Sequence, residues 1–241
     1  MNENELLIYG RNPVKEALKA KRVKKVYLSD SFSDQKFIDE LKTEHIPFER
    51  KSNKELDSMA DGVHQGIVAL IKRYEYYSLE DIIKEGKKEK NPLILVLDEI
   101  NDPQNFGAII RSSDIFGVVG IIIKKHNQVL LTPAVAKASA GAINFAKVVQ
   151  VPNLINALNT LKKEGYWIVS AAGGASQEYT EIKYDFPTVL VIGNEGKGIS
   201  RLILENSDYV VKIPMHGKVN SLNASIAAAV LMSYIDNDRK N

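Results

Sequence analysis

The chain has 241 residues, of which 44% are hydrophobic and 26% charged, with 32 basic and 30 acidic side chains. This composition is typical of a globular protein and excludes a disordered chain, a collagen-like chain and a coiled coil. The absence of cysteine excludes disulfides, iron–sulfur clusters and a thiolate nucleophile. The four histidines lack the spacing of metal ligands, so we expect no metal site.

The apolar runs of the sequence are far shorter than the ~20 residues that a membrane-spanning helix needs. The first residues, MNENELLIYG, have neither the basic region nor the apolar core of a secretory signal. We therefore expect a cytoplasmic protein with no membrane partner.

Residues 6–71 predict a small α/β domain. Strands are expected at 6–9, 25–29 and 66–71, and helices at 13–20, 34–44 and 53–59. Asn12 and Pro13 are typical of an N-cap followed by proline at the first helical position. A polar, lysine-rich stretch then ends at Pro92 and predicts a linker or a connecting helix. The predicted domains are therefore 1–75 and 92–241, joined by a linker over 76–91.

The second domain alternates short apolar strands with helices. Strands are expected at 93–97, 118–123, 167–171, 188–192 and 210–213. Helices are expected at 106–116, 132–141, 153–164, 200–206 and 222–236. This pattern predicts a parallel sheet covered on both faces, with ligands bound beyond the carboxyl ends of its strands.

A basic cluster lies near the N-terminus, with only Glu16 opposing it locally. Its members fall within eleven residues: Lys15, Lys19, Lys21, Arg22, Lys24 and Lys25. Such a run is either a solvated face or a patch that contacts phosphates.

The loop after the first strand of the second domain contains Asn105 and Arg111. Asn105 either caps the following helix or has a functional role. Arg111 lies one helical turn after Gly107, so its side chain leans over a residue without a side chain and toward the loop. A guanidinium in that place suits a phosphate or a ribose; the alternative is a surface arginine paired with Asp114.

A second loop, at 191–200, carries three glycines, Gly193, Gly196 and Gly198, which let backbone amides approach a ligand closely. Their spacing matches neither the P-loop nor the dinucleotide-binding GxGxxG pattern. Glu195 is a candidate polar anchor within the loop. The alternative is a turn that binds no ligand.

The third loop, at 213–223, leads into an alanine-rich helix with Ser221 as its expected N-cap. The alternative to a functional role is that Ser221 and Asn223 are only capping residues. The small residues of that helix allow close packing against another element or a second subunit. Three such loops at strand ends predict a nucleotide-like ligand site.

The segments NFGAIIR (105–111), LVIGNEGKGIS (190–200) and IPMHGKVNSLNAS (213–225) together resemble the three motifs of the SpoU family of RNA ribose methyltransferases. YGRNPVKEAL at 9–18 and HQGIVA at 64–69 are similar to the substrate-binding domain of its RlmB-like branch. The resemblance implies an α/β fold of the SPOUT class, with a small N-terminal RNA-binding domain and a C-terminal trefoil-knotted, parallel-sheet methyltransferase domain. It also implies S-adenosylmethionine as cofactor and a homodimer.

Carried over by position, the resemblance assigns roles to individual residues. The catalytic group would be Asn105, Arg111, Glu195, Ser221 and Asn223, and the cofactor contacts would be Gly193, Gly196, Ile213 and Leu222. RNA would contact Arg11, Lys15, Lys19 and Arg22. The implied reaction is methyl transfer to a ribose 2′-OH of 23S rRNA, at guanosine by preference. Open alternatives are the same reaction on tRNA or on another rRNA nucleotide, and a non-catalytic RNA-binding protein.

Overall fold

The computed structural model of the chain describes residues 4–218 and 221–240, which form two compact units. The first unit contains the residues up to 75 together with 130–145, and the second contains 76–129 and the residues from 146 onward. The segment 130–145 therefore belongs to the first unit, although the sequence-based division places it in the second domain. In the described part of the chain, no helix is long and apolar enough to cross a membrane.

The first unit is built on a mixed sheet. Its elements up to residue 72 are β1 (Glu5–Tyr9), α1 (Arg11–Lys19), β2 (Val23–Ser29), α2 (Gln35–Thr43), β3 (Phe48–Lys51), α3 (Asn53–Met59) and β4 (Ile67–Lys72). The strand order is β1-β4-β2-β3, with β4 antiparallel to β1 and β2, and β3 parallel to β2. Strands β1, β2 and β3 therefore end at one edge of the sheet, where β4 begins.

Helix α1 begins earlier than the sequence predicts. Its N-cap is Gly10, at φ +94°, and the backbone N–H of Arg11 donates to Oε1 of Gln65 at 2.9 Å. Asn12 therefore has no capping role, because a side chain 54 residues away supplies the acceptor. The strand β3 was not predicted, because its sequence FERK has a single apolar residue and no alternation.

The segment 130–145 contributes α6 (Pro133–Ala138) and a 3₁₀ turn at Ala142–Asn144 to the first unit. The predicted helix continued to residue 141. It ends at 138 because Ala140 and Gly141 adopt positive φ angles of 51° and 97°.

The second unit is an α/β fold with a parallel sheet. Its elements are α4 (Leu79–Gly86), β5 (Leu93–Asp98), α5 (Pro103–Ile115), β6 (Val118–Lys124), β7 (Val148–Val151), α7 (Leu154–Lys163), β8 (Trp167–Ala171), β9 (Gln177–Glu178), β10 (Thr188–Gly193), α8 (Arg201–Glu205), β11 (Tyr209–Lys212) and α9 (Ala224–Asp238). The strand order is β7-β6-β5-β10-β8-β11-β9, and every pairing is parallel. The predicted α/β fold with a parallel sheet is therefore confirmed.

The strand β10 places the predicted loops side by side. It lies between β5 and β8, and Gly193 at its end is in register with Asp98 at the end of β5. Helix α4 packs Ile82 and Ile83 into the core of this unit, so the segment expected to be a linker or a connecting helix contains a helix that belongs to the core. The weakly patterned strands β7 and β9 were not predicted.

Candidate active site

A cavity of about 520 Å³ opens at the carboxyl edge of the sheet in the second unit, which we call the β10 cavity. This volume falls within the roughly 300–1,000 Å³ of small-molecule sites. Among its lining residues are the predicted site residues Gly193, Glu195, Ile213, Ser221 and Leu222. The remaining lining is mainly small or apolar and comes from the ends of β8, β10 and β11 and the start of α9.

Gly193 is the position where the backbone of the loop after β10 folds back on the strand. A Cβ at this position would lie 2.4 Å from the carbonyl carbon of Gly198 and 2.5 Å from the backbone nitrogen of Ile199. Two backbone hydrogen bonds between Asn194 and Gly198, of 3.1 and 2.8 Å, close the loop. Only glycine fits at residue 193 without moving the backbone.

Gly196 differs from the expectation for this loop. It does not belong to the described residues that line the β10 cavity, and a Cβ there would come no closer than 3.4 Å to the nearest atom, Oδ1 of Asn194. Its N–H donates to that oxygen at 2.9 Å, which shapes the turn. Of these two glycines, Gly193 is the one whose position excludes a side chain.

Three side chains from the three loops form one hydrogen-bonded group, the Asn–Glu–Asn cluster of Asn105, Glu195 and Asn223. Nδ2 of Asn105 donates to Oε1 of Glu195, and Nδ2 of Asn223 donates to Oδ1 of Asn105 at 2.9 Å. Asn105 is only 7% exposed. It does not cap its helix, because Asp102 accepts the N–H of Gln104 at 3.0 Å and is the N-cap of α5.

Asn223 holds two roles at once. Its Oδ1 accepts the backbone N–H of Ser225 at 2.9 Å and of Ile226 at 3.3 Å, so it is the N-cap of α9. The capping role expected of Ser221 is therefore wrong, and α9 begins at Ala224. Ser221 and Leu222 are exposed and line the β10 cavity instead.

Arg111 lies on α5 and is exposed. Within residues 4–218 and 221–240 its guanidinium forms no ion pair, so the alternative pairing with Asp114 is not observed. The structure brings it into no hydrogen bond with the Asn–Glu–Asn cluster among the same residues. Its charge is available to a ligand.

A group of charged residues beneath the loop after β10 was missed by sequence reasoning. Oδ2 of the buried Asp98 accepts the N–H of Ser200 at 2.8 Å, and its Oδ1 lies 2.8 Å from the ammonium of Lys124. Burial by itself lowers the pKa of Lys124, but hydrogen bonds and charge from Asp98 and Glu99 outweigh burial and the pKa is raised. Nδ2 of Asn194 donates to the backbone carbonyl of Glu99 at 2.9 Å. These residues fix the loop from below.

The basic cluster of the first unit is largely neutralised by carboxylates that are distant in sequence. Lys15 pairs with Asp34 at 3.0 Å, Lys24 with Glu5 at 2.9 Å and Lys25 with Glu49 at 2.5 Å. Lys19 pairs with Glu16 at 2.7 Å. Glu16 is the only carboxylate within this stretch of sequence, and the fold brings Asp34, Glu5 and Glu49 to the run as well.

Two arginines expected to contact RNA have partners of another kind. Arg22 donates to the carbonyl of Arg73 at 2.9 Å, and its guanidinium lies over the ring of Tyr74. Arg11 is exposed and lies over the ring of Phe32.

No group of three or more histidine, aspartate or glutamate side chains within the described residues is placed to hold a metal ion.

The fold and the cavity define an α/β protein of two units, of which the second has a cavity at the carboxyl edge of a parallel sheet. Residues 92–233 match the model of the SpoU rRNA methylase family. Residues 7–77 match the model of the RNA 2′-O ribose methyltransferase substrate-binding domain. The chain belongs to the SpoU family and is an RNA 2′-O-ribose methyltransferase, a class that uses S-adenosylmethionine.

Curated relatives agree with this assignment. A protein of Bacillus subtilis (strain 168), assigned by name to the TrmH family of tRNA/rRNA methyltransferases, is 40% identical over 96% of this chain and 95% of its own. A protein of Staphylococcus haemolyticus (strain JCSC1435) with the same family name is 40% identical over 95% of this chain and 94% of its own. Neither name specifies the nucleotide or chooses between tRNA and rRNA.

Solved structures share the fold. The SpoU methyltransferase AviRb from Streptomyces viridochromogenes, in complex with AdoMet, aligns with a TM-score of 0.82 at 24% identity, over 99% of this chain and 91% of that chain. An AdoMet-bound rRNA methyltransferase from Sinorhizobium meliloti aligns with a TM-score of 0.81 at 21% identity, over 97% and 87%. At these identities the likeness shows the fold alone.

Proposed function

We propose that the β10 cavity holds S-adenosylmethionine and that the Asn–Glu–Asn cluster and Arg111 act on the RNA ribose beside it. The observation that carries this proposal is the convergence of the three loops: Glu195 belongs both to the cavity lining and to the hydrogen-bonded cluster. A ligand in the cavity would therefore touch the same carboxylate that is joined to Asn105 and, through it, to Asn223.

The lining fits a ligand with an adenosine part and a positively charged sulfonium. Small and apolar residues leave room for a nucleoside, and the loop after Gly193 offers backbone groups at close range. Lys197, the cationic residue of the lining, has the carboxylate of Glu99 3.5 Å away. Glu195 then supplies a negative charge next to the ligand, which suits a cation.

When bound, S-adenosylmethionine supplies an activated methyl group for in-line displacement by the ribose oxygen. The protein must align the oxygen with that group and assist loss of the hydroxyl proton. Asn105 is held rigidly by hydrogen bonds to Glu195 and Asn223, so the cluster is preorganised. Arginine is essentially always protonated, which favours a role for Arg111 in holding a phosphate and stabilising developing oxyanion charge.

For the RNA target we propose 23S rRNA, with guanosine as the methylated nucleotide. The match of residues 7–77 to a substrate-binding domain supports an RNA substrate, and the resemblance to the RlmB-like branch supports rRNA. Transfer RNA or another rRNA nucleotide is the second candidate, supported by the tRNA/rRNA naming of the relatives.

From the family resemblance we further propose a trefoil knot in the second unit and a cytoplasmic location. We also propose that the protein is a homodimer with α9 at the interface. Leu222 before the helix is 37% exposed and Ile226 on it is 52% exposed, and both are apolar. A second subunit covering them would remove apolar surface from water. Light scattering at micromolar concentration should give twice the 26.8 kDa mass of the chain.

The target is tested by methyl transfer from tritium-labelled S-adenosylmethionine to unmodified 23S rRNA, 16S rRNA and total tRNA. The proposal expects label in 23S rRNA, at a guanosine whose replacement by 2′-deoxyguanosine abolishes the transfer. Label in tRNA alone would reverse the choice of target. Label that survives the 2′-deoxy replacement would contradict ribose methylation.

A further inference from the structure

The first unit contains a cleft that the proposed methyl transfer does not use, which we call the Arg11 cleft. It has a volume of about 490 Å³ and lies where β1 and β2 end and β4 begins. Side chains that line it include Arg11, Ser31, Phe32, Asp57, His64 and Gln65. We propose that this cleft binds one unstacked nucleobase of the RNA, with the base plane against the Arg11 guanidinium. This inference rests on the proposed function in that RNA is the substrate.

Arg11 and Phe32 form the stacking platform of the cleft. The guanidinium carbon of Arg11 lies 5.3 Å from the centroid of the Phe32 ring. Phe32 is 4% exposed and packs edge-on against Phe37, whereas Arg11 is exposed. A guanidinium is planar, and proteins stack unpaired RNA bases on guanidinium planes as well as on aromatic rings.

The loop that carries Phe32 is fixed before any ligand binds. Nη1 of Arg50 donates to the carbonyls of Ser29 at 2.7 Å, Phe32 at 2.8 Å and Asp30 at 3.2 Å. Arg50 comes from β3, the strand that sequence reasoning missed. Because Nη1 of Arg50 holds three carbonyls of this loop, Phe32 needs little further ordering when a base binds.

The opposite wall of the cleft, at 64–66, is equally constrained. The N–H of Gly66 donates to Nδ1 of His64 at 3.0 Å, so the ring proton lies on Nε2, which is 3.0 Å from Oδ1 of Asp57. The carbonyl of Gly66 accepts the N–H of Ser29 at 2.8 Å, which ties the two walls together. Gly66 has φ +79°, and a Cβ there would lie 2.8 Å from Oγ of Ser29.

The polar groups favour a base over a phosphate. Oε1 of Gln65 accepts the N–H of Arg11, and within the described residues its Nε2 has no partner, so it can donate to an acceptor on a base edge. The Asp57 side chain is 71% exposed and lines the same cleft. Its carboxylate repels a phosphate but accepts a hydrogen bond from a base amino group.

The test measures direct binding of single-stranded RNA tetranucleotides that carry one 2-aminopurine, whose fluorescence is quenched on stacking. The full chain is compared with Arg11→Ala and Arg11→Lys, in the absence of S-adenosylmethionine. Lys42→Ala is the matched control, because Lys42 is an exposed cation of the same unit, paired with Asp39 and outside the cleft. Thermal unfolding verifies that each variant is folded.

We expect both Arg11 variants to lose the quenching and about tenfold in affinity, since stacking of one base contributes that much. Lys42→Ala should change affinity less than about twofold. Arg11→Lys keeps the charge, so its salt dependence should equal that of the unmodified chain. An abasic tetranucleotide should bind as weakly to the unmodified chain as the 2-aminopurine probe binds to Arg11→Lys.

The proposal is overturned if Arg11→Lys binds the probe like the unmodified chain, because charge alone would then suffice. Equal binding of the abasic and base-containing probes would overturn it as well. Failure of the proposed function is a separate result, because it shows as absent methyl transfer to saturating RNA while probe binding is unchanged.

Discussion

Replacing Gly193 by alanine adds one methyl group where the loop after β10 folds back on its strand. The new Cβ would lie 2.4 Å from the carbonyl carbon of Gly198, whereas ordinary contact begins at 3.4 Å. The atoms that block it are backbone, so no side-chain rotation relieves the contact. The loop must move by about 1 Å, because carbon atoms pack at roughly 3.5–4.0 Å.

Overpacking of this kind costs about 1–3 kcal/mol. The variant relieves this strain by opening the loop, and binding has to restore the closed form. At ~1.4 kcal/mol per factor of ten, we therefore expect S-adenosylmethionine to bind roughly 5- to 150-fold more weakly to Gly193→Ala. Isothermal titration calorimetry with S-adenosylmethionine and its demethylated product measures this change. Differential scanning calorimetry of the free protein measures how much of the strain appears as lost stability.

The matched control is Gly196→Ala, in the same loop. Its φ angle is not positive and its Cβ would be in ordinary contact with Oδ1 of Asn194 at 3.4 Å, so affinity and stability should remain close to those of the unmodified chain. If Gly193→Ala binds S-adenosylmethionine within twofold of the unmodified chain and unfolds at the same temperature, the steric reasoning is wrong. Equal damage in both variants would show that loop flexibility, and not the contact at residue 193, controls binding.

Three further outcomes are expected. Arg111→Ala should slow single-turnover methyl transfer by roughly 10²–10³ at unchanged cofactor affinity, and Arg111→Lys should restore little of the rate. Near-normal transfer by the alanine variant would show that Arg111 is an ordinary surface residue. Asp98→Asn should lower the free energy of unfolding by about 1.5–3 kcal/mol, because Lys124 loses the charged hydrogen-bond partner at 2.8 Å and keeps only Glu99 at 3.2 Å; unchanged urea unfolding would contradict this. Hydrogen bonds from the Ser52 side chain and then from the Ser52 N–H lower the pKa of Glu55 to about 2. The stability that this carboxylate contributes is therefore present above pH ~4.5 and is lost as the pH falls toward 2. NMR titration of Ser52→Ala should show the pKa of Glu55 raised, and an unmoved pKa would refute the capping-box explanation.

Much of this protein follows from its sequence by local rules. Apolar, β-branched runs such as 93–97 and 188–192 predict buried parallel strands, because only a sheet covered on both faces hides such residues from water. Glycines at 193, 196 and 198 and the polar residues at strand ends predict that a ligand binds at the carboxyl edge of the sheet. Both features depend on neighbouring residues alone, and the structure contains the strands and the cavity where the pattern expects them.

Long-range pairing decided the rest. The short strand β3 forms because it pairs with β2, and α1 begins at Arg11 because the side chain of Gln65 accepts the Arg11 N–H. The cation of Lys25 is neutralised by Glu49, a residue 24 positions away. Whether Gly193 or Gly196 is the position that excludes a side chain depends on which of them lies against backbone atoms. The strand, the cap and the ion pair depend on distances between residues far apart in the chain, and the glycine depends on how a short loop folds back on its strand. Periodicity and local spacing carry no information about either.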